Sequence, residues 1–294
     1  MNTLKITHLK KTYPNGVKAL NDISFTITNG MFGLLGPNGS GKSSLMRTIA
    51  GLQAADSGSI EFNGVDILST PAFIKKQLGY LPQDFGVYPK TSALNLLEHL
   101  AILKGIANKQ ARKEQILLLL EKTNLYDVRN KEVYTFSGGM RQRFGIAQAL
   151  LGNPQIIVVD EPTAGLDPEE RHRFNNLLSE IGEQIIVILS THMVDDVRDL
   201  CTDMAMVYKG SLMAKGSPQD FIQQLRGSIW SKTIAKQELT WHRENFRLIS
   251  SKLNAGKLNI HVYSETEPSC GFTSVPPDLE DVYFTKLSKC NGHA

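Results

Sequence analysis

A chain of 294 residues with 41% hydrophobic and 21% charged side chains has the make-up of an ordinary folded protein, long enough for two modest domains or one with additions. Its 32 basic and 29 acidic residues leave a formal net charge of +3, so nothing in the balance calls for a nucleic-acid surface and no nucleic-acid partner is expected. Cys201, Cys270 and Cys290 are widely spaced with no CxxC pair, which argues against a zinc site and fits a reducing cytoplasm.

The N-terminal "MNTLKITHLKKTYPNG" lacks the apolar run of a signal peptide. The longest apolar runs, "ILLLL" at 116–120 and "IIVILS" at 185–190, fall short of the roughly 20 residues that span a bilayer, so a soluble chain is expected. Ile23, Phe25 and Ile27 alternate with polar residues and predict a half-buried strand, with turns at "PNG" (14–16) and "NG" (29–30). "MFGLL" then runs to Gly36, and "GKSSLMRTIAGL" predicts a helix with Leu45, Ile49 and Leu52 on one face. "GSIEFNGVDI" returns to strand and turn.

Residues 84–153 read as a helical insertion. "TSALNLLEHLAILKG" is expected to stop at Gly105 and "KQARKEQILLLLEKTNL" at Asn124, with "ILLLL" facing the core. "PQIIVVDEP" is all apolar up to its acids, as in a buried parallel strand. "EERHRFNNLLSEIG" reads as the crossover helix, "QIIVILS" as the next buried strand, and "DMAMVYKGSLMAKGS" as two strands turning at Gly210. Such alternation argues for an α/β fold with a parallel sheet covered on both faces. From about residue 226 the texture changes. "NFRLIS" and "KLNIHVYSE" alternate like strands, and "PPDLEDVYFTKLS" predicts a helix capped by Asp278 with Leu279, Val282, Tyr283 and Leu287 on one face. Residues 226–294 are expected to form a small α+β accessory domain, with Trp230 and Trp241 as packing residues.

"GPNGSGKSS" at 36–44 (Gly36, Pro37, Asn38, Gly39, Ser40, Gly41, Lys42, Ser43, Ser44) fits the phosphate-loop pattern, between an apolar strand and an amphipathic helix. Its glycines let backbone N–H groups turn toward phosphate oxygens, and the helix start adds partial positive charge. Lys42 can reach the β- and γ-phosphates, and the Ser43 hydroxyl can ligate magnesium. "IIVVDE" puts Asp160 and Glu161 at the C-terminal end of a buried strand, where ligands sit in open α/β sheets. Asp160 there suits magnesium, and Glu161 suits the attacking water.

From about residue 3 to 222 these elements stand in the order of the ATP-binding subunits of ATP-binding-cassette (ABC) transporters, which the chain resembles. The resemblance implies a RecA-like phosphate-loop NTPase core (1–83 and 154–225) with an N-terminal antiparallel β subdomain and a helical subdomain (84–153), together an ATPase domain over 1–225. It implies that Tyr13 stacks on adenine, that Gln83 of "LPQD" touches magnesium and water, and that His192 of "STHMVDDV" bonds the γ-phosphate. ATP would be the substrate and Mg2+ the cofactor.

"TFSGGMRQR" matches the family's signature. Phe136, Met140, Phe144, Ala147 and Leu151 predict one apolar helical face behind a Ser137-Gly138-Gly139 start, which suits an anion but carries no lysine. The resemblance supplies the rest: two copies pack head to tail, and each signature closes over the other copy's ATP. Asp167 of "GLDP" would contact the opposite subunit. Family signatures commonly read LSGGQ, so Phe136 and Met140 depart from the pattern. Partners implied are a second copy and multi-span membrane subunits, at the cytoplasmic face of the cell membrane. "LGYLPQDFGVYPKTSALNLLEHLA" and "PPDLEDVYF" resemble ATPase subunits of bacterial ABC-2-type exporters. An importer subunit and a non-transport mechanical ATPase remain alternatives.

Overall fold

Period-two patterning builds the first sheet. The computed structural model describes residues 1–83, 85–86, 90–163, 165–269 and 271–290; Asp84, residues 87–89 and Cys270, which figure in the sequence readings above, lie outside them. β1 (Thr3–Thr12) and β2 (Lys18–Thr28) pair antiparallel, with Ile23, Phe25 and Ile27 turned inward as expected. β3 (Gly30–Leu35) leads through residues 36–41 into α1 (Lys42–Ile49). β4 (Ser57–Phe62) and β5 (Val65–Asp66) then complete a sheet ordered β2-β1-β4-β5. On α1 Leu45 and Ile49 are buried, but Leu52 is 61% exposed. The helix closes at Ala50 and the chain turns at Gly51, so Leu52 falls outside the helical register.

α2 (Pro71–Gln77) and β6 (Leu78–Leu81) precede three helices, α3 (Ala93–Leu103), α4 (Lys109–Lys122) and α5 (Gly138–Leu150). Ser92 and Asn108 cap α3 and α4 by accepting from backbone N–H groups, and the chain turns at Gly105 and Asn124 as expected. Leu97, Ile116, Leu120, Phe136, Phe144 and Leu151 form their shared core. The "ILLLL" run is not wholly core-facing. Ile116, Leu119 and Leu120 are buried while Leu118 is 52% exposed, because five helical residues sweep more than a full turn.

β7 (Ile156–Asp160), α6 (Pro168–Gly182), β8 (Ile186–Thr191), α7 (Val194–Leu200), β9 (Asp203–Tyr208) and β10 (Ser211–Gly216) finish a second sheet ordered β10-β9-β3-β8-β7-β6. It is parallel except for the β9–β10 hairpin, which turns at Gly210. Alternate residues serve opposite faces. Phe32, Leu34, Val158 and Ile188 pack with the first sheet and α1; Met31, Leu35, Val159 and Leu189 pack with α6 and α7. Burial on both faces is why these strands read as unbroken apolar runs.

After α8 (Pro218–Gln224), β11 (Ile229–Ile234), α9 (Leu239–Asn245), β12 (Leu248–Asn254), β13 (Lys257–Tyr263) and β14 (Thr273–Ser274) give a third, antiparallel sheet, β12-β13-β11-β14. β11 is covered on both sides, with Ile229 and buried Ser231 on one and half-buried Trp230 and Ile234 on the other, so no simple apolar alternation marks it. In α10 (Leu279–Cys290), Asp278 Oδ1 accepts from the Asp281 N–H at 2.8 Å, and Leu279, Val282 and Tyr283 are buried with Val197 and Phe221 of α7 and α8. Trp230 packs on the third sheet's own core and donates from Nε1 to Ser264 O at 3.1 Å. Trp241 is 48% exposed on α9 yet meets the Phe246 ring edge-on with centroids 5.8 Å apart, so Trp230 is a half-buried packing residue and Trp241 packs on one side only. Among the described residues no helix is long and apolar enough to cross a membrane.

Candidate functional site

Between β3 and α1 the loop folds around its own lysine. Lys42 Nζ donates to Gly36 O at 2.7 Å and Pro37 O at 3.2 Å, and the side chain is buried. Burial pushes the Lys42 pKa below the ordinary lysine value, while the Glu161 and Asp160 carboxylates raise it. α1 has no side-chain cap and no acid in its first turn, so its N–H groups and the positive end of its dipole face the loop uncompensated. The loop walls a cleft of about 410 Å³, lined by Tyr13, by residues 38–44 and, opposite, by Gln83 and Glu161. Tyr13 is fixed at its edge: its hydroxyl donates to Gln53 Oε1 at 2.8 Å and lies 3.0 Å from Ser44 Oγ.

The acidic pair ends β7. Asp160 is 9% exposed, and burial pushes its carboxyl above the usual carboxylate range. Glu161 adopts a left-handed conformation (φ 47°), held by its N–H donating to Ser190 O at 2.9 Å. That twist carries its carboxylate between two other sequence-predicted residues. Oε1 lies 3.0 Å from His192 Nδ1, and Oε2 accepts from Gln83 Nε2 at 3.3 Å. Gln83, Glu161 and His192 therefore meet, although they are remote in sequence.

Ser137, Gly138, Gly139 and Asp167 do not line this cleft. Ser137 is the N-cap of α5, its Oγ accepting from Met140 N–H at 3.2 Å; Asp167 is the N-cap of α6, accepting from Glu170 N–H at 2.9 Å. The two helix starts are fastened together. Arg143 of α5 pairs with Glu170 of α6, Gly139 leaves no room for a Cβ against Glu170, and Gly138 faces Leu166. The expected apolar face of α5 is buried, and Met140 packs at the margin of the helical core.

Sequence reading missed Asp196. Its fully buried carboxylate accepts from Thr163 Oγ1 at 2.7 Å, from Thr191 Oγ1 at 3.2 Å, and from Arg171 Nε and Nη2 at 3.1 and 2.6 Å. The available signal was weak: an acid beside an apolar residue, Val197, on the inward side of a helix of seven residues.

The sequence profile of the ABC transporter family matches residues 20–164. A linearmycin resistance ATP-binding protein of Bacillus subtilis (strain 168) is 34% identical over 262 residues, covering 88% of this chain and 82% of that protein. The chain belongs to the ABC transporter ATP-binding family. A Nod factor export ATP-binding protein of Rhizobium etli is 35% identical over 232 residues, 77% of this chain and 72% of that one. Among solved structures, a dimeric bacterial ABC transporter cassette matches with a TM-score of 0.66 at 26% identity, over 73% of this chain and 98% of its own. The same cassette is also known in a dimeric post-hydrolysis state bound to ADP and Pi, with the same coverage and TM-score. As a cassette ATPase, this ABC protein binds adenine nucleotide and hydrolyses ATP.

Proposed function

We propose that the chain is the motor subunit of an ABC exporter, and that Gln83, Glu161 and His192 form its hydrolytic centre. The Glu161 carboxylate, held between Gln83 Nε2 and His192 Nδ1 on the wall facing Lys42, carries the reading. Lys42 and the N–H groups of residues 38–44 hold the phosphates, and Tyr13 faces the base. Glu161 takes a proton from a water whose oxygen attacks the γ-phosphorus, the bond to the ADP oxygen breaks, and His192 steadies the γ-phosphate. Ser43, Asp160 and Gln83 offer hydroxyl, carboxylate and amide oxygens, a hard donor set suited to Mg2+. Among the described residues no three His, Cys, Asp or Glu cluster as a cage, which fits an ion held mainly by phosphates and water. Mg2+ would neutralise charge on the β- and γ-phosphates.

In this reading two copies pack head to tail, so that Ser137, Gly138, Gly139 and Asp167 of one complete the site of the other. The dimer closes on ATP and opens after hydrolysis, at the cytoplasmic face of a membrane, where separate multi-span subunits carry the substrate. Residues 1–225 form the ATPase unit and 226–294 an accessory unit. Export is favoured over the alternatives by the kinds of relative found, a resistance protein and a Nod factor exporter.

Glu161→Gln tests this. With Mg2+ and ATP it should hydrolyse at least about a hundredfold more slowly than the natural chain, the loss expected when a general base is removed. It should also run as a dimer on size-exclusion chromatography, and tagged protein drawn from solubilised membranes should bring a multi-span protein with it. Turnover near the natural rate would overturn the role of Glu161; a strict monomer at high concentration would overturn the dimer.

A further inference from the structure

We infer that Asp196 is a positioning residue for ATP hydrolysis, locking three catalytic segments into one arrangement; this rests on the roles proposed for Glu161, His192 and Asp167. Each group that Asp196 binds lies within four residues of one of them. Thr163 is two residues beyond Glu161, Thr191 immediately precedes His192, and Arg171 lies one helical turn beyond Asp167. The carboxylate is fully shielded from solvent and accepts four hydrogen bonds, two from hydroxyls and two from one guanidinium. Thr191 Oγ1 in turn accepts from Met193 N–H at 2.9 Å, which fixes the backbone on both sides of His192.

The arrangement is more constrained than packing requires. A buried carboxylate is costly unless its partners are all present, so the network holds as a unit or not at all. Glu161 sits at positive φ, a conformation that persists only when its surroundings over-determine it. The Thr163–Asp196–Thr191 bridge ties the segment after Glu161 to the strand end that holds His192. The 3.0 Å contact between Glu161 and His192 therefore depends on a group that touches neither. Thr191 is the sheet partner of Leu35 at the end of β3, but among the described residues the Asp196 carboxylate itself shares no hydrogen bond with residues 36–44, where Lys42 bonds to Gly36 O and Pro37 O. Loss of Asp196 should thus disturb turnover and leave nucleotide binding in place.

The test uses steady-state ATP hydrolysis by the full chain with Mg2+, together with binding of a fluorescent ATP analogue. Thr163→Val removes one donor at nearly constant shape, Thr163→Ser keeps it, and Asp196→Asn removes the charge. A misplacement of about 1 Å at a reacting group can cost about a hundredfold. By that measure kcat should fall at least about tenfold in Asp196→Asn and Thr163→Val, with KM and analogue affinity within about twofold, and Thr163→Ser should return to within about threefold of the natural chain. Unchanged kcat in Thr163→Val would overturn the inference. So would a loss of analogue affinity parallel to kcat, or a Thr163→Ser variant as poor as Thr163→Val, since both mark a merely structural group. Should Asp196→Asn fail to fold, the Thr163 pair decides alone. Glu161→Gln separates the two levels: if it abolishes turnover while the Asp196 and Thr163 variants turn over normally, the positioning role falls and the site assignment stands.

Discussion

Two glycines of the phosphate loop should respond very differently to the same methyl group. Gly39 and Gly41 both adopt positive φ, 77° and 108°. A Cβ added at Gly39 meets nothing within 4 Å, whereas one at Gly41 would lie 2.3 Å from the Ala19 carbonyl oxygen, a backbone atom of β2. Gly39→Ala therefore carries only the conformational cost of a left-handed alanine, about 1 kcal/mol. Gly41→Ala carries a similar cost, and overlap with an oxygen that cannot swing away adds about 1–3 kcal/mol. For a chain of this size about 2 °C is lost per kcal/mol, so thermal unfolding without nucleotide should show a drop of about 2 °C for Gly39→Ala and about 4–8 °C for Gly41→Ala. Differential scanning calorimetry of both variants beside the natural chain measures this directly. Equal melting temperatures in the two variants would refute the close approach of β2 to the loop. Because Gly41 is the N-cap of α1, the same overlap should displace the helix's first N–H groups and reduce the protection that saturating ATP gives against unfolding.

Two further changes probe the framework. Phe144→Ala empties a fully buried site packed edge-on against Phe136 and should cost about 3–5 kcal/mol in denaturant unfolding, whereas Leu118→Ala on the exposed side of α4 should stay within about 0.5 kcal/mol. His261 on β13 lies 2.8 Å from the buried Asp281 carboxylate of α10, and that hydrogen bond raises the imidazole pKa against the opposing effect of burial. A raised folded-state value means the contribution is complete below the ordinary imidazole pKa of about 6.5 and disappears as pH rises through the folded value. His261→Gln should therefore lower the melting temperature more at about pH 5.5 than at about pH 9, and a gap that widens with pH would contradict the sign.

What could be read from sequence was what lies close together along the chain. The phosphate loop is nine adjacent residues whose spacing encodes its own geometry, and Asp160 and Glu161 end a strand that its apolar run announces. The meeting of Gln83, Glu161 and His192 was different in kind. It requires β7 and β8 to be neighbours and Glu161 to turn into a left-handed conformation, and neither is a property of a local window. Asp196 escaped because its partners, Thr163, Arg171 and Thr191, come from three segments whose meeting no local window shows. Leu52 and Leu118 were misread for a simpler reason: an apolar residue near a helical face was counted as on it, although one follows the helix end and the other points to the opposite side. α10 was found as a helix, but its packing on α7 and α8 depended on a topology that the final seventy residues do not contain.

The second glycine-rich helix start can be weighed on the same terms. Ser137 and Asp167 each cap their own helix, so capping alone accounts for both side chains. The two helix starts differ in what capping leaves behind. α6 carries Glu169 and Glu170 in its own first turn; α5 carries no acid of its own there, the Glu170 carboxylate that reaches Gly139 is paired with Arg143, and α5 begins with two glycines, the first exposed. Of the two fastened helix ends, α5 is thus the one that suits an incoming anion. It has no lysine of its own, and the cleft that does lies elsewhere on the same chain. A phosphate presented by Lys42 of a second copy would meet both deficits at once, which is why the serine and two glycines favour the proposed head-to-tail dimer over a monomer that hydrolyses ATP alone.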